Sequence, residues 1–179
     1  MRRRDLATWG RELYVAYAPA IADLIGAAEA PPIVVQVERR GPGAAWTSGT
    51  DVFLSAAWFA EHPDDVGGCL HEFTHAIMRA PIYDATTSWL IEGIADWVRD
   101  ELGHDAPWTF PHFEPAKATS GYQPTAHFLR WLERNHPGAV RELSQALMQG
   151  VYADDVFAGL TGGSLTECVS RYESDQTGA

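Results

Sequence analysis

The stretch Leu70-His71-Glu72-Phe73-Thr74-His75 carries two histidines four positions apart, with a glutamate directly after the first. Side chains at this spacing lie on one face of an α-helix, so two imidazoles can reach a single metal ion. Zinc binds imidazole nitrogen, and a glutamate beside the ion can act as a general base towards a metal-bound water. The stretch therefore predicts an active-site helix in which His71 and His75 bind zinc and Glu72 is catalytic.

A second pair of polar residues follows in the segment Trp89–Trp97, where Glu92 and Asp96 also stand four positions apart. The residues around them are largely apolar, and a carboxylate on a buried helix face is costly unless it is paired or metal-bound. A catalytic zinc needs three protein ligands and one open position. We therefore expect Glu92 to be the third ligand and Asp96 to accept a hydrogen bond from the free ring N–H of His71.

Periodicity and turn signals predict a few strands near the start of the chain and helices after them. An amphipathic helix spans about 6–28, with Pro19 expected to kink or split it, and β-rich runs predict strands at 33–37 and 51–55. Residues 104–121 show no clear period and predict a long surface loop. Further helices are predicted at about 66–80, 88–103, 122–135, 138–149, 152–159 and 164–173. This order predicts an α+β fold with a small N-terminal sheet and a mostly helical C-terminal half.

Size and composition limit the class of protein. The length of 179 residues predicts a single domain over 1–179, frayed at 1–4 and 174–179. The formal net charge of -11 argues against nucleic acid as a partner, because phosphate binding needs clustered Lys and Arg. No apolar run approaches the roughly 20 residues of a membrane helix, so a membrane is not an expected partner either.

The sequence leaves several properties open. Cys69 and Cys168 could form one disulfide or remain two buried thiols. No apolar signal-peptide core follows the basic start, so the protein is either cytoplasmic or exported with a leader that is absent from this sequence. Oligomeric state and cleavage preference are open as well.

Several motifs together resemble the plant basic secretory protein family of metallopeptidases, which has relatives in bacteria and fungi. The resemblance runs from Pro32 to about Tyr172, and its most specific part is Leu90–Arg99. The other matching stretches are Ala45-Trp46-Thr47-Ser48-Gly49, Leu54-Ser55-Ala56, Leu70–His75, Gly121-Tyr122, Thr125-Ala126 and Phe128-Leu129. The resemblance implies a zincin-like fold of the gluzincin type, one zinc per chain and endopeptidase activity on a peptide or protein. The chain departs from the family in being acidic and in having Phe73 where Met is usual.

The expected reaction is peptide hydrolysis by a zinc-activated water, with Glu72 taking the water proton and returning it to the leaving amine. A second electrophile should stabilise the charge on the carbonyl oxygen. Tyr122 is the first candidate, because it follows a glycine at the start of a helix and matches the family, and Tyr83 is the second. The strand through Val52–Ser55 is a candidate edge for pairing with an extended substrate.

The remaining polar residues are interpreted as structural. His127 is interpreted as a packed or surface histidine, and His104 and His112 as loop residues. Trp108 is the tryptophan best placed to meet substrate. Asp154-Asp155 is interpreted as a helix cap, because no further acids follow at the spacing of a calcium loop.

Three alternatives to a zinc endopeptidase stay open. The same site could hydrolyse an amide that is not a peptide. The chain could be a relative that binds zinc without catalysing a reaction, although the intact Glu72 argues against this. It could also be a helical binding module whose motif is accidental, and the metal content of the purified protein distinguishes that case.

Overall fold

The computed structural model describes residues 5–104 and 115–178, and its residue contacts divide the chain into two compact units. The first unit comprises Met1–Arg79 and Val98–Asp105, and the second comprises Ala80–Trp97 and Ala106–Ala179. The described residues form eight α-helices, one short 3-10 helix and three β-strands. A small sheet near the N-terminus and a mostly helical C-terminal half confirm the predicted α+β fold. One domain over the whole chain stays a prediction.

The first unit contains a three-stranded sheet and the helices around it. Its elements are α1 (Leu6–Ile25), β1 (Val34–Glu38), β2 (Ala45–Ser48), β3 (Asp51–Ser55), α2 (Ala56–Glu61) and α3 (Val66–Met78). The strand order is β1-β3-β2, with β1 parallel and β2 antiparallel to β3. Helix α3 packs against α1 and against β2 and β3, which places it beside the sheet.

The second unit is helical. Helix α4 (Ser88–Glu101) begins in this unit, and its last residues, from Val98 onwards, belong to the first. After the 3-10 helix at Pro115–Lys117, the unit contains α5 (Tyr122–Asn135), α6 (Ala139–Gln149), α7 (Val156–Thr161) and α8 (Leu165–Thr177). Helix α5 contacts both α6 and α8, so it lies at the centre of this group.

Helix α1 shows how capping and burial set the bounds of an element. Asp5 caps its start, accepting a 2.7 Å hydrogen bond from the Thr8 hydroxyl, and Gly26 ends it at a φ of 68°, the left-handed conformation that favours glycine. The prediction that Pro19 kinks or splits this helix is wrong as regards a split, because the helix continues to Ile25. We attribute this to packing, because the buried residues Tyr14, Ala18, Ile21, Ala22 and Ile25 flank the proline on one face.

The sequence does not predict two short elements, β2 and α2, and several helix ends differ from the prediction, among them the start of α7, predicted at 152 and observed at Val156. Neither short element has a periodic apolar pattern, and each contains at most six residues. Helix α8, predicted at 164–173, continues to Thr177. Its start is held by a capping box between Ser164 and Glu167, and it stops where Gly178 adopts a φ of 68°.

Each unit has its own apolar core. In the first unit α1, α3 and β3 contribute fully buried side chains, which include Ile21, Ile25, Leu54, Leu70 and Phe73. In the second unit the fully buried side chains include Phe128, Leu129, Leu132, Val140, Leu143, Phe157 and Tyr172. Cys69 lies in the first core and Cys168 in the second, and both are free thiols. Among the described helices, none has the length and apolar character to cross a membrane.

Candidate functional site

Helix α3 brings His71 and His75 together on one face, in the first unit. Asp65 caps its start, accepting a 2.9 Å hydrogen bond from the Gly68 amide, and Arg79 ends it in the left-handed conformation at a φ of 46°. The Nε2 atoms of His71 and His75 lie 3.0 Å apart, and their ring planes stand at 78°. Two imidazole nitrogens at this separation can share one proton or direct both lone pairs at one cation.

The opposite side of α3 is packed into the core of the first unit. Phe73 is fully buried, and its ring meets that of Tyr14 on α1 edge to face, with 5.2 Å between centroids. Phe73, which stands where the resembled family has Met, is therefore a packing residue between α1 and α3.

A threonine of the sheet contacts Glu72. The Thr47 hydroxyl on β2 lies 2.8 Å from Oε2 of Glu72 and 3.1 Å from the Glu72 carbonyl oxygen. The single hydroxyl proton is therefore within reach of both the side chain and the backbone of the residue that the sequence predicts as the general base, and the carboxylate oxygen is the nearer acceptor. Thr47 is not among the functional candidates that the sequence predicts, because no local pattern links two residues so far apart in the chain.

The position of β2 corrects one prediction. The strand through Val52–Ser55 was expected to offer an edge to an extended substrate, but β3 lies between β1 and β2 and pairs with both. The reason is that β2 was not recognised as a strand, and it occupies one side of β3. Strand β2 has β3 as its partner in the described sheet, so β2 is an edge strand, and it is the strand that contacts Glu72.

Glu92 lies on α4, in the part of that helix that belongs to the second unit. Its side chain is buried, with 8 % of its surface exposed, and Oε1 accepts a 2.7 Å hydrogen bond from the Tyr83 hydroxyl. Tyr83 itself is 63 % exposed. Asp96, one helical turn after Glu92, is also buried. Two carboxylates thus lie on the buried part of α4, as the sequence suggested.

Two glycines, Gly93 and Gly121, allow α4 to pack closely against other parts of the second unit. A side chain at Gly93 would meet Thr125 of α5, whose Cβ lies 2.5 Å from the Cβ position. The Gly121 backbone lies against Trp89 and Glu92, with the Glu92 Cβ 3.8 Å from the corresponding Cβ position. Gly121 is therefore a neighbour of the carboxylate-bearing turn of α4.

Tyr122 begins α5 in an unusual backbone conformation. Its φ is 48°, in the left-handed region that non-glycine residues seldom adopt, and its side chain is 54 % exposed. The Thr125 hydroxyl oxygen accepts a 2.9 Å hydrogen bond from the Gly121 amide, and the hydroxyl donates to the carbonyl of Ala118. These bonds fix the turn, so the placement of Tyr122 is enforced by its surroundings.

Two other histidines each contact a tyrosine hydroxyl. His127 Nδ1 lies 2.9 Å from the hydroxyl of the buried Tyr172, which agrees with its interpretation as a packed histidine. His104 Nε2 lies 2.8 Å from the Tyr17 hydroxyl. His112 and Trp108 lie outside the described residues. Asp155 occupies the N-cap position of α7 without a side-chain capping bond.

A comparison with families of known proteins found a match. The model of the BSP family, described as a peptidase of plants and bacteria, matches residues 29–172. This range contains every residue discussed above as a candidate for the site and agrees with the resemblance drawn from the motifs. Neither the curated proteins nor the solved structures contain a match to this chain.

Proposed function

This chain belongs to the BSP family, the peptidases of plants and bacteria, and from that membership we propose that it is a zinc-dependent endopeptidase. The family supports a peptidase-related function, and hence a hydrolase. The observation that carries the more specific proposal is the pair of imidazoles on α3, whose Nε2 atoms lie 3.0 Å apart beside Glu72.

The side chains proposed as metal ligands suit a zinc ion. His71, His75 and Glu92, whose residue types are compatible with a metal ion, are the proposed ligands. Two imidazoles and one carboxylate are among the sets that hold catalytic zinc, with one position left open. Two imidazole nitrogens 3.0 Å apart can both face one cation, and a cation would offset the charge of a buried carboxylate. When bound, zinc would supply a water of lowered pKa and polarise the scissile carbonyl.

Glu72 is the proposed general base. Its carboxylate takes the proton of the attacking water and delivers that proton to the nitrogen of the leaving amine, so the glutamate ends the reaction as it began. The half-buried setting of Glu72 between α3 and β2 suits this role. Asp96 is the proposed acceptor for the second ring nitrogen of His71, which would hold that ring in one orientation.

The substrate is proposed to bind as an extended strand along β2. An edge strand presents amide and carbonyl groups that can pair with a peptide in extended conformation. We favour β2 rather than β1 as the strand that binds the substrate, because Thr47 of β2 contacts Glu72, the proposed base. A peptide paired there would lie next to the residue that must act on it.

Tyr122 is the proposed donor to the developing oxyanion, with Tyr83 as the second candidate. Both are exposed aromatic residues that flank Glu92 in the second unit: Tyr83 through its hydroxyl and Tyr122 through the adjacent Gly121. Tyr122 has a left-handed backbone conformation that its surroundings enforce. Strained residues of this kind occur often at active sites, which supports Tyr122 as the first candidate.

A cleavage assay on the purified protein tests the proposal. The zinc-loaded protein is incubated with a broad library of fluorogenic peptides, with and without 1,10-phenanthroline, and zinc is then added back after the chelator is removed. We expect cleavage that the chelator abolishes and zinc restores. A zinc-loaded protein that cleaves no peptide, or cleavage that survives complete removal of metal, would overturn the proposal. Circular dichroism of the chelated protein controls for unfolding.

A further inference from the structure

We propose that Thr47 is a positioning residue that orients the carboxylate of Glu72, an inference that rests on the function proposed above. The Thr47 hydroxyl lies 2.8 Å from Oε2 and 3.1 Å from the backbone carbonyl oxygen of Glu72. Within residues 5–104 and 115–178, Thr47 is the hydrogen-bond partner of the Glu72 carboxylate. Because Oε2 accepts this bond, we expect Oε1 to be the oxygen that receives the proton of a water.

Such a contact can orient a glutamate that acts as a base. Its side chain rotates about three bonds, and most of the resulting rotamers direct the carboxylate away from a water held next to the histidines of α3. A hydrogen bond from a hydroxyl to a carboxylate is stronger than one between neutral groups, so it can select one rotamer. The hydroxyl also lies 3.1 Å from the Glu72 carbonyl oxygen, which holds it close to the turn of α3 that contains Glu72.

The sheet fixes Thr47 in turn. Thr47 pairs with the buried Val52 on β3, and the preceding residue, Trp46, pairs with Phe53. Successive side chains on a strand point to opposite faces, so Trp46 and Thr47 lie on opposite sides of β2. The Trp46 ring stacks on that of Phe53 at 3.9 Å, and its Nε1 donates a 2.7 Å hydrogen bond to Glu38 on β1. These contacts hold β2 in register, and the register presents the Thr47 hydroxyl to α3.

The test uses variants that remove the hydroxyl and keep the shape. Thr47→Val keeps a β-branched side chain that suits a strand, Thr47→Ser restores a hydroxyl, and Thr50→Val makes the same change in the neighbouring turn. In the zinc-loaded enzyme we expect Thr47→Val to lower kcat about 10–100-fold, the size typical of a small displacement of a catalytic group. KM and zinc content should stay near wild type. Thr47→Ser should recover most of kcat, and Thr50→Val should be unchanged.

A second measurement does not depend on activity. In metal-free protein labelled with ¹³C at the glutamate carboxyl carbon, the Glu72 signal is identified by its loss in Glu72→Gln. We expect this signal to shift in Thr47→Val and to return towards the wild-type position in Thr47→Ser. Thr47→Ala serves as a second deletion of the hydroxyl should the valine variant fail to fold.

The outcomes separate this inference from the proposed function. An active wild type with unchanged kcat in Thr47→Val would overturn the role of Thr47 and leave the peptidase proposal standing. A loss of kcat that serine does not rescue, with an unmoved Glu72 signal, would also overturn it, because the effect would then be structural. A zinc-loaded wild type that cleaves no peptide would instead overturn the proposed function.

Discussion

The hydroxyl of Tyr83, a residue 63 % exposed, donates a 2.7 Å hydrogen bond to Oε1 of Glu92, a residue only 8 % exposed. An exposed phenol thus reaches a buried carboxylate on α4 and compensates part of the cost of its burial. From the sequence, Tyr83 is the second candidate for the oxyanion donor after Tyr122, and no contact between Tyr83 and Glu92 is predicted. Removal of the Tyr83 hydroxyl would therefore take a hydrogen bond from Glu92, whereas Tyr122 is the first candidate for the oxyanion donor.

The first prediction concerns Tyr122 as the oxyanion donor. Tyr122→Phe keeps the ring and removes the hydroxyl, so kcat should fall by about 10²–10³-fold, as for other lost oxyanion donors. Zinc content and KM should stay near wild type, because the hydroxyl would act only in the transition state. Steady-state kinetics of Tyr122→Phe and Tyr83→Phe, measured side by side, check this. Unchanged kcat in Tyr122→Phe with a large loss in Tyr83→Phe would transfer the role to Tyr83.

The second prediction concerns the metal. The purified protein should hold about one zinc per chain after mild dialysis, and His75→Ala should lose it, because two side chains cannot hold a catalytic zinc tightly. Elemental analysis measures both. His62→Ala, which changes an exposed histidine stacked on Trp58, is the matched control and should keep its zinc. Substoichiometric metal in the wild type that His75→Ala leaves unaltered would contradict the assignment.

The third prediction separates metal binding from catalysis at Glu72. Glu72→Gln keeps the size of the side chain and removes its basicity, so zinc content should be retained. Turnover should fall by at least the roughly 10²–10⁴-fold that a general base contributes. Glu61→Gln, an exposed glutamate at the end of α2, is the control. Near wild-type turnover in Glu72→Gln would show that another group takes the proton.

The fourth prediction tests Asp96 as the residue that orients His71. Asp96→Asn should weaken zinc binding about 10–100-fold without abolishing it, because the amide cannot stabilise the ligand ring as a carboxylate does. Competition with a chelator of known affinity measures this, with the exposed Asp64→Asn as control. A loss equal to that in Glu92→Ala would make Asp96 a ligand, and no loss would remove it from the site.

The fifth prediction concerns the packing of α4 against α5. Gly93→Ala places a methyl group against the buried Thr125, whose Cβ is 2.5 Å from the new atom. The free energy of unfolding should fall by about 1–3 kcal/mol, the usual cost of overpacking, less a gain in helix propensity. Gly159→Ala on α7 meets no atom within 4 Å and should be neutral or stabilising. Urea denaturation of both variants measures the difference, and equal midpoints would contradict the packing account.

The elements that sequence reasoning predicted well carry strong local signals. Helix α5 was predicted at 122–135 and is observed at Tyr122–Asn135, because Gly121 and His136-Pro137 bracket it. Helix α3 likewise has a capping aspartate at its start and a proline soon after its end. The pairs His71–His75 and Glu92–Asp96 were found because each depends only on spacing within one helix.

The missed features depend on contacts between distant segments. Strand β2 has only four residues, none fully buried, so alternation of polar and apolar side chains does not reveal it. It becomes a strand by pairing with β3. The Thr47–Glu72 contact joins residues 25 positions apart, and the Tyr83–Glu92 contact joins a loop to a helix. Tertiary packing sets these distances, and no pattern within a single element encodes them.

The burial of the two thiols has a practical consequence. Cys69 and Cys168 have no exposed surface, and burial raises the pKa of each, so neither forms a reactive thiolate in the folded chain. An alkylating reagent can therefore reach either sulfur only after the surrounding structure has opened. Because Cys69 belongs to the first unit and Cys168 to the second, the two labelling rates report separately on the opening of each unit. The native chain thus contains one natural probe of local stability in each unit.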